Sequence, residues 1–150
     1  MIEVVPALPR HVNSIAKRMR NIDVLECHIA GHSPKEALRT GLLGSTIAWT
    51  VMIEGRPEAM MGATPISFIE GRGRAWLLMT DVAQRHAVTL VRLGRLYTDA
   101  LHRHYPILEN WVHADNPTAI RWLSRLGYAV GSVDVIRGHP MRPFVRHVGS

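Results

Sequence analysis

The stretch NPTAIRWLSRLGY, residues 116–128, decides how this chain is read. Asn116 is a residue type that caps helices, and Pro117 suits the first helical position, where its missing N–H is not needed. Gly127 suits the position that closes a helix. The stretch therefore reads as one well-capped amphipathic helix with Tyr128 directly behind it. Upstream of it, Leu108–His113 is apolar and strand-like, and Pro106 stops a long periodic segment running from Val82 to about His104. In that segment Val88, Val91, Leu96, Tyr97, Ala100 and Leu101 share one side, the spacing of a helix. Ala75–Thr80 before it is a short buried strand. A helix joining the strand at residue 75 to the strand at residue 108 implies a right-handed crossover between parallel strands.

Working further outward, Thr46–Glu54 and Glu58–Ile69 flank the turn Glu54-Gly55-Arg56-Pro57, the pattern of an antiparallel hairpin. Gly71 and Gly73 mark the next turn. Ser33, Pro34 and Glu36 form a capping box that starts a helix reaching about Leu43, where Gly44 ends it. Ile2–Pro6 reads as a first strand and Arg10–Arg20 as a first helix. Tyr128–His147 reads as two strands around the Gly138–Pro140 turn. The expected order is β-α-α-β-β-β-α-β-α-β-β, an α/β class with a mixed sheet. No repeat, low-complexity tract or linker interrupts the chain, so one domain over 1–150 is expected.

Composition narrows the function classes. Hydrophobic residues make up 47% of the 150, enough for a core without staples. No run approaches the ~20 apolar residues of a membrane span, and the N-terminus lacks the apolar segment of a signal peptide. Cys27 is the sole cysteine, which excludes an internal disulfide and reads as a small buried hydrophobe. The net charge of +6 is carried almost wholly by arginine, Lys17 and Lys35 being the two lysines. A phosphate- or carboxylate-rich partner would suit guanidinium forks, but the arginines are scattered, which favours a compositional bias. The four tryptophans, Trp49, Trp76, Trp111 and Trp122, fall on different elements and read as core anchors rather than a base-stacking platform.

The element order over roughly residues 2–130 resembles that of the GNAT acetyltransferases. Asn116, Ala119, Gly127 and Tyr128 match the helix of that family in which Asn opens, Ala follows and Gly plus an aromatic closes. The longer run AWLLMTDVAQRH…YPILENWVHADNPTAIRWLSRLGY is similar to the GNAT-like proteins of bacteriophages and prophages, including the internal virion protein A family of short-tailed phages. The resemblance to GNAT enzymes implies a pyrophosphate-binding loop, R/Q-x-x-G-x-G/A, at the start of the central helix. The matching residues are Gln84, Arg85, His86, Ala87, Val88 and Thr89, with Ala87 and Thr89 standing where small, glycine-rich backbone is wanted. Asp81 reads as the cap of that helix, where its charge would repel a phosphate, while Arg85 and His86 offset it. Asn116 joins this coenzyme set. The tyrosine that protonates the departing thiolate in many members falls on Leu123, which has no proton to give, and Tyr128 reads as core. For a general base, Ala75–Thr80 has no carboxylate or histidine, leaving Asp81 and His113 as candidates.

Other constellations are weaker. His28 and His32 have the i, i+4 spacing of a metal pair, but Gly31 and the Ser33 cap argue against one helix through both, so no metal is expected. Asp23 and Glu26 lie between the first two helices, where GNAT enzymes often build an acceptor pocket, and solvated loop charges are the plainer reading. Arg92, Arg95 and Arg103 with His102 form a basic side of the central helix. A nucleic-acid module would show steep loss of affinity with salt, and nucleic acid is not the expected partner. Taken together, the reading is a phage-type GNAT-fold protein serving as a virion structural or assembly component. Its partners would be other virion or tail-connector proteins, its place the host cytoplasm or the virion, and it would need no cofactor. The alternative is an active acetyl-CoA-dependent N-acetyltransferase on an unknown amine.

Overall fold

A computed structural model describes residues 1–149. The chain forms two compact units, each assembled from separate segments: Met1–Thr64 with Trp76–Ala87, and Pro65–Ala75 with the chain from Val88 on. In the first unit, β1 (Ile2–Pro6) runs antiparallel to β2 (Ile47–Ile53), from Ile2↔Ile53 to Pro6↔Trp49. β2 in turn pairs antiparallel with β3 (Arg56–Ser67), with a bulge between Val51 and Met52. The connecting turn places Glu54 and Gly55 at φ 49° and 75°, the twist that suits a tight hairpin.

The helices of this unit depart from the expected pattern in one place. A turn at Pro9–His11 leads into α1 (Val12–Lys17), which stops three residues before the expected Arg20 because Arg18 leaves helical backbone space at φ −120°. Met19 then bridges to Thr80, and the Arg20 amide donates to the Met79 carbonyl at 3.0 Å. A further helix, α2 (Asn21–Ile29), follows where a loop was expected. No side chain caps its start, so the capping signal that marks α3 and α6 is missing here. α3 (Pro34–Gly44) begins as expected: Ser33 Oγ accepts from the Glu36 amide at 3.2 Å and Glu36 Oε1 accepts from the Ser33 amide at 3.3 Å. Val12, Ile15, Met19, Cys27, Leu38 and Met60 pack into one buried cluster.

β4 (Arg72–Met79) starts three residues earlier than expected, so Gly73 lies inside the strand rather than in the turn. The first part of β4 belongs to the second unit. There Arg72, Gly73 and Arg74 pair in parallel with Ile107, Leu108 and Glu109 of β5 (Ile107–His113). The Asn110 side chain continues the connection, donating to the Ala75 carbonyl at 2.8 Å. β5 also pairs antiparallel along its whole length with β8 (His139–His147). β8 carries two short partners, β6 (Ala129–Val130) and β7 (Asp134–Ile136), making three strands where two were expected. Parallel and antiparallel neighbours of β5 make the sheet mixed, and the class is α/β as expected.

The central helix is not continuous. α4 (Asp81–Gln84) is one turn long, residues 85 and 86 form a turn, and α5 runs Ala87–Leu101. α6 (Pro117–Arg125) has the expected Asn116 cap, whose Oδ1 accepts from the Ala119 amide at 3.3 Å, and Gly127 closes it at φ 91°. Leu126 lies over Gly94 of α5, where an added Cβ would meet its Cδ2 at 3.1 Å.

Candidate active site

Every residue that holds the junction of β4 and α4 lies in the first unit. Thr80, not Asp81, caps α4: its Oγ1 accepts from the Ala83 amide at 3.3 Å and donates to Glu58 Oε2 at 3.3 Å. Asp81 is the first helical residue and points to solvent. The expectation that Asp81 ties up the orphan amides is therefore corrected. Strand β4 extends to Met79, which puts the next residue at the capping position, and that residue has a neutral hydroxyl. Glu58 is buried to 1% exposure. It is ion-paired with Arg18, whose Nη1 also reaches the second carboxylate oxygen at 3.1 Å.

The six residues expected at the phosphate loop fall on both sides of the helix break. Gln84 ends α4, Arg85 and His86 form the exposed turn, and Ala87, Val88 and Thr89 are the first three residues of α5. The Arg85 amide donates to the Asp81 and Val82 carbonyls, and the His86 amide to Ala83 at 3.0 Å. The amides of Ala87, Val88 and Thr89 have no acceptor inside α5, because the first amides of a helix have none within it. The break thus creates a second helix start four residues after Ala83, with two basic residues immediately before it. Neither Thr80 nor the break was read from the sequence. Two adjacent residues able to cap, Thr80 and Asp81, are the signal that was available.

In the second unit, Leu123 lies on α6 and is half-buried. Tyr128 is buried, stacks edge-on against Phe144 at 5.1 Å, and hydrogen-bonds Thr98. Burial pushes its pKa up to about 12, so its hydroxyl serves the core. His113 is buried, and its Nδ1 accepts from the Asp115 amide at 3.0 Å. That bond occupies the Nδ1 lone pair, so this nitrogen is not open to a substrate proton. The His139 ring lies edge-on to it at 6.0 Å. The Asn116 amide donates to the His113 carbonyl at 3.1 Å, so these two candidates are held together, while the Asn116 side chain is committed to capping α6.

The remaining candidates resolve into structural roles. Asp23 sits on α2, buried to 2% exposure and bonded to Arg20 and to the Met79 amide, so it offers no free charge to an amine acceptor. Burial pushes its pKa upward against the opposing pull of Arg20. His28 is on α2 and His32 lies beyond it, which breaks the i, i+4 geometry. Burial, with Asp23 and Glu26 nearby, pushes the Cys27 thiol up to about 12. His102 is no part of a basic face: it is buried, its Nδ1 bonds the Tyr105 carbonyl at 2.9 Å, and burial lowers its pKa. Of the four tryptophans, Trp111 is 39% exposed and is not a core anchor.

No family model and no curated sequence relative matches the chain. Solved structures do. The ribosomal-protein-S18-alanine N-acetyltransferase from Escherichia coli is 12% identical over 100% of this chain and 96% of that one, with a TM-score of 0.73. The ribosomal-protein-S5-alanine acetyltransferase from Vibrio fischeri is 11% identical over 99% and 94%, with a TM-score of 0.69. AAC(6')-Ib, in complex with ribostamycin and coenzyme A, is 12% identical over 98% and 93%, with a TM-score of 0.70. This is the GNAT acetyltransferase fold. The likeness reaches nearly the full length of both partners, so the GNAT frame includes the stretch from Tyr128 on as well as residues 2–130. At these identities it speaks for the GNAT fold alone. Among the described residues, no helix is long and apolar enough to cross a membrane.

Proposed function

We propose that this GNAT-fold chain binds acetyl-CoA and transfers the acetyl group to an amine. The observation that carries the reading is the helix break at Arg85–His86. It opens α5 with three amides lacking an internal acceptor and a guanidinium and an imidazole directly before them. Such a helix start suits an anion, through both its free N–H groups and its dipole. Thr80 rather than Asp81 caps α4, so the Asp81 carboxylate is turned to solvent and is not bonded to the helix amides. Ala87 is small enough for a close approach of phosphate, while Thr89 is bulkier than the glycine of the family pattern. The residues therefore fit a pyrophosphate, with the amides of Ala87, Val88 and Thr89 and the Arg85 side chain as its holders.

When bound, acetyl-CoA supplies an activated thioester. The chain's own residues supply orientation more than proton transfer. His113 Nδ1 is engaged by the Asp115 amide, Leu123 offers no proton to a departing thiolate, and Asp81 is an exposed carboxylate on α4. Loss of a general acid typically lowers a rate by ~10²–10⁴-fold, so slow transfer with water as the proton source is the expected behaviour. AAC(6')-Ib was solved with coenzyme A, which supports the choice of ligand. The virion assembly role rests on the sequence resemblance alone.

Isothermal titration of the purified protein with CoA and with acetyl-CoA tests the reading. Saturable binding in the micromolar range, weakened in Arg85→Ala, is the expected result. No heat of binding at millimolar ligand would overturn it and direct the search to protein partners.

A further inference from the structure

A four-residue helix cannot hold itself together, since nucleation costs more than so few internal hydrogen bonds return. α4 must therefore be pinned from outside, and one buried ion pair reaches both of its ends. Asp23 Oδ1 accepts from Arg20 Nη2 at 2.6 Å, and Oδ2 accepts from the Met79 amide at 2.9 Å. The Arg20 amide returns a bond to the Met79 carbonyl at 3.0 Å, and Arg20 Nη1 donates to Gln84 Oε1 at 3.2 Å. Met79 is the residue before the Thr80 cap, and Gln84 is the last residue of α4. The pair thus grips the entry and the exit of the same helical turn. Arg20 is 5% and Asp23 2% exposed, so the bonds at the entry are shielded from water, while the bond to Gln84 at the exit is part-buried. The second grip, Glu58 on Thr80, holds the entry alone.

We infer that Arg20 and Asp23 are positioning residues for coenzyme binding, acting through Met79 and Gln84 to set where α4 ends and α5 begins. The inference rests on the acetyl-CoA reading above and deepens it. Neither side chain touches the ligand. Each acts by fixing the turn at Arg85–His86, on which the direction of the first α5 amides depends. A guanidinium can bond Asp23 and Gln84 at once through two nitrogens, whereas an ammonium on a flexible stem holds neither geometry as rigidly.

The test is CoA titration, with the melting temperature recorded beside it, for the wild-type protein, Arg20→Lys, Gln84→Ala, the double variant and Leu38→Ala. Leu38 lies in the buried cluster of the same unit and serves as the control for lost stability. Arg20→Lys and Gln84→Ala should each weaken CoA by about tenfold, the scale of one charge-assisted hydrogen bond. The double variant should be no weaker than the poorer single one, because both changes break the same link. Leu38→Ala should melt lower yet keep its affinity. Gln84→Ala removes one half-buried side chain and keeps the test valid should Arg20→Lys fail to fold. If the wild type binds CoA and both single variants bind it equally well, or if Leu38→Ala loses as much affinity as they do, the positioning role is overturned while the acetyl-CoA reading stands. If the wild type does not bind, both fall.

Discussion

Gly73 is the position at which the smallest change should cost the most. It sits within the parallel ladder of β4 and β5, paired with Leu108. A Cβ added there would stand 2.5, 2.6 and 2.9 Å from Cγ, Cδ2 and Cδ1 of Tyr105. Carbon atoms rest at ~3.5–4.0 Å, so the ring would have to retreat by about 1 Å. Tyr105 is only 2% exposed, which leaves it nowhere to go without moving its neighbours. Overpacking costs ~1–3 kcal/mol, and simultaneous conflict with three ring atoms points to the top of that range. The reduced freedom of the unfolded chain offsets only ~0.4–1 kcal/mol. A net loss of about 2 kcal/mol in a chain of this size lowers the melting temperature by roughly 4–8 °C. Differential scanning calorimetry of Gly73→Ala should show that drop, and Tyr105→Leu added to it should be less damaging than the sum of the two changes. A melting temperature within about 2 °C of the wild type would refute the argument that the aromatic ring forbids a side chain here.

Three further outcomes are expected. His11 is buried, its Nδ1 accepts from the Leu8 amide at 3.1 Å and lies 2.8 Å from Thr50 Oγ1, and burial lowers its pKa from 6.5. The unfolded chain therefore takes up that proton first as pH falls below 6.5, and stability drops across the window from there down to the folded pKa. The slope is at most about 1.4 kcal/mol per pH unit for the one proton. Urea unfolding should show a shallower acid dependence for His11→Gln, and an unchanged slope would contradict the assignment. Cys27 should resist thiol reagents at about pH 8 in the native protein and react fully in denaturant, with rapid native labelling as the contrary result. Tyr128→Phe should cost about 1 kcal/mol for the bond to Thr98 and leave any acetyl transfer at the wild-type rate. A large loss of rate without loss of stability would return Tyr128 to the chemistry.

What could be read from the sequence was what neighbours along the chain decide. The Ser33-Pro34-Glu36 box and the Asn116…Gly127 frame act within a single helical turn, so α3 and α6 stand where they were expected. The hairpin at Glu54–Gly55 follows from the positive φ that Gly55 adopts without steric cost. These local signals, set in the right order, were enough to place the chain in the GNAT fold. The residues expected at a coenzyme loop, Gln84–Thr89, fall on both sides of a helix break that the sequence did not reveal. Whether Thr80 or Asp81 caps α4 depends on how far β4 runs, and that is set by Met19, Arg20 and Asp23 bonding to residues 79 and 80, some 56 to 61 positions later. The same bonds account for α2, which begins without a capping side chain, and for Asp23, a buried strut where a solvated charge was expected. Gly73 near the start of a strand makes sense only once Tyr105 lies across it. In each case the deciding partner is distant in sequence, and hydrogen bonding of buried polar groups or exclusion between packed atoms acts only after folding has brought the two together.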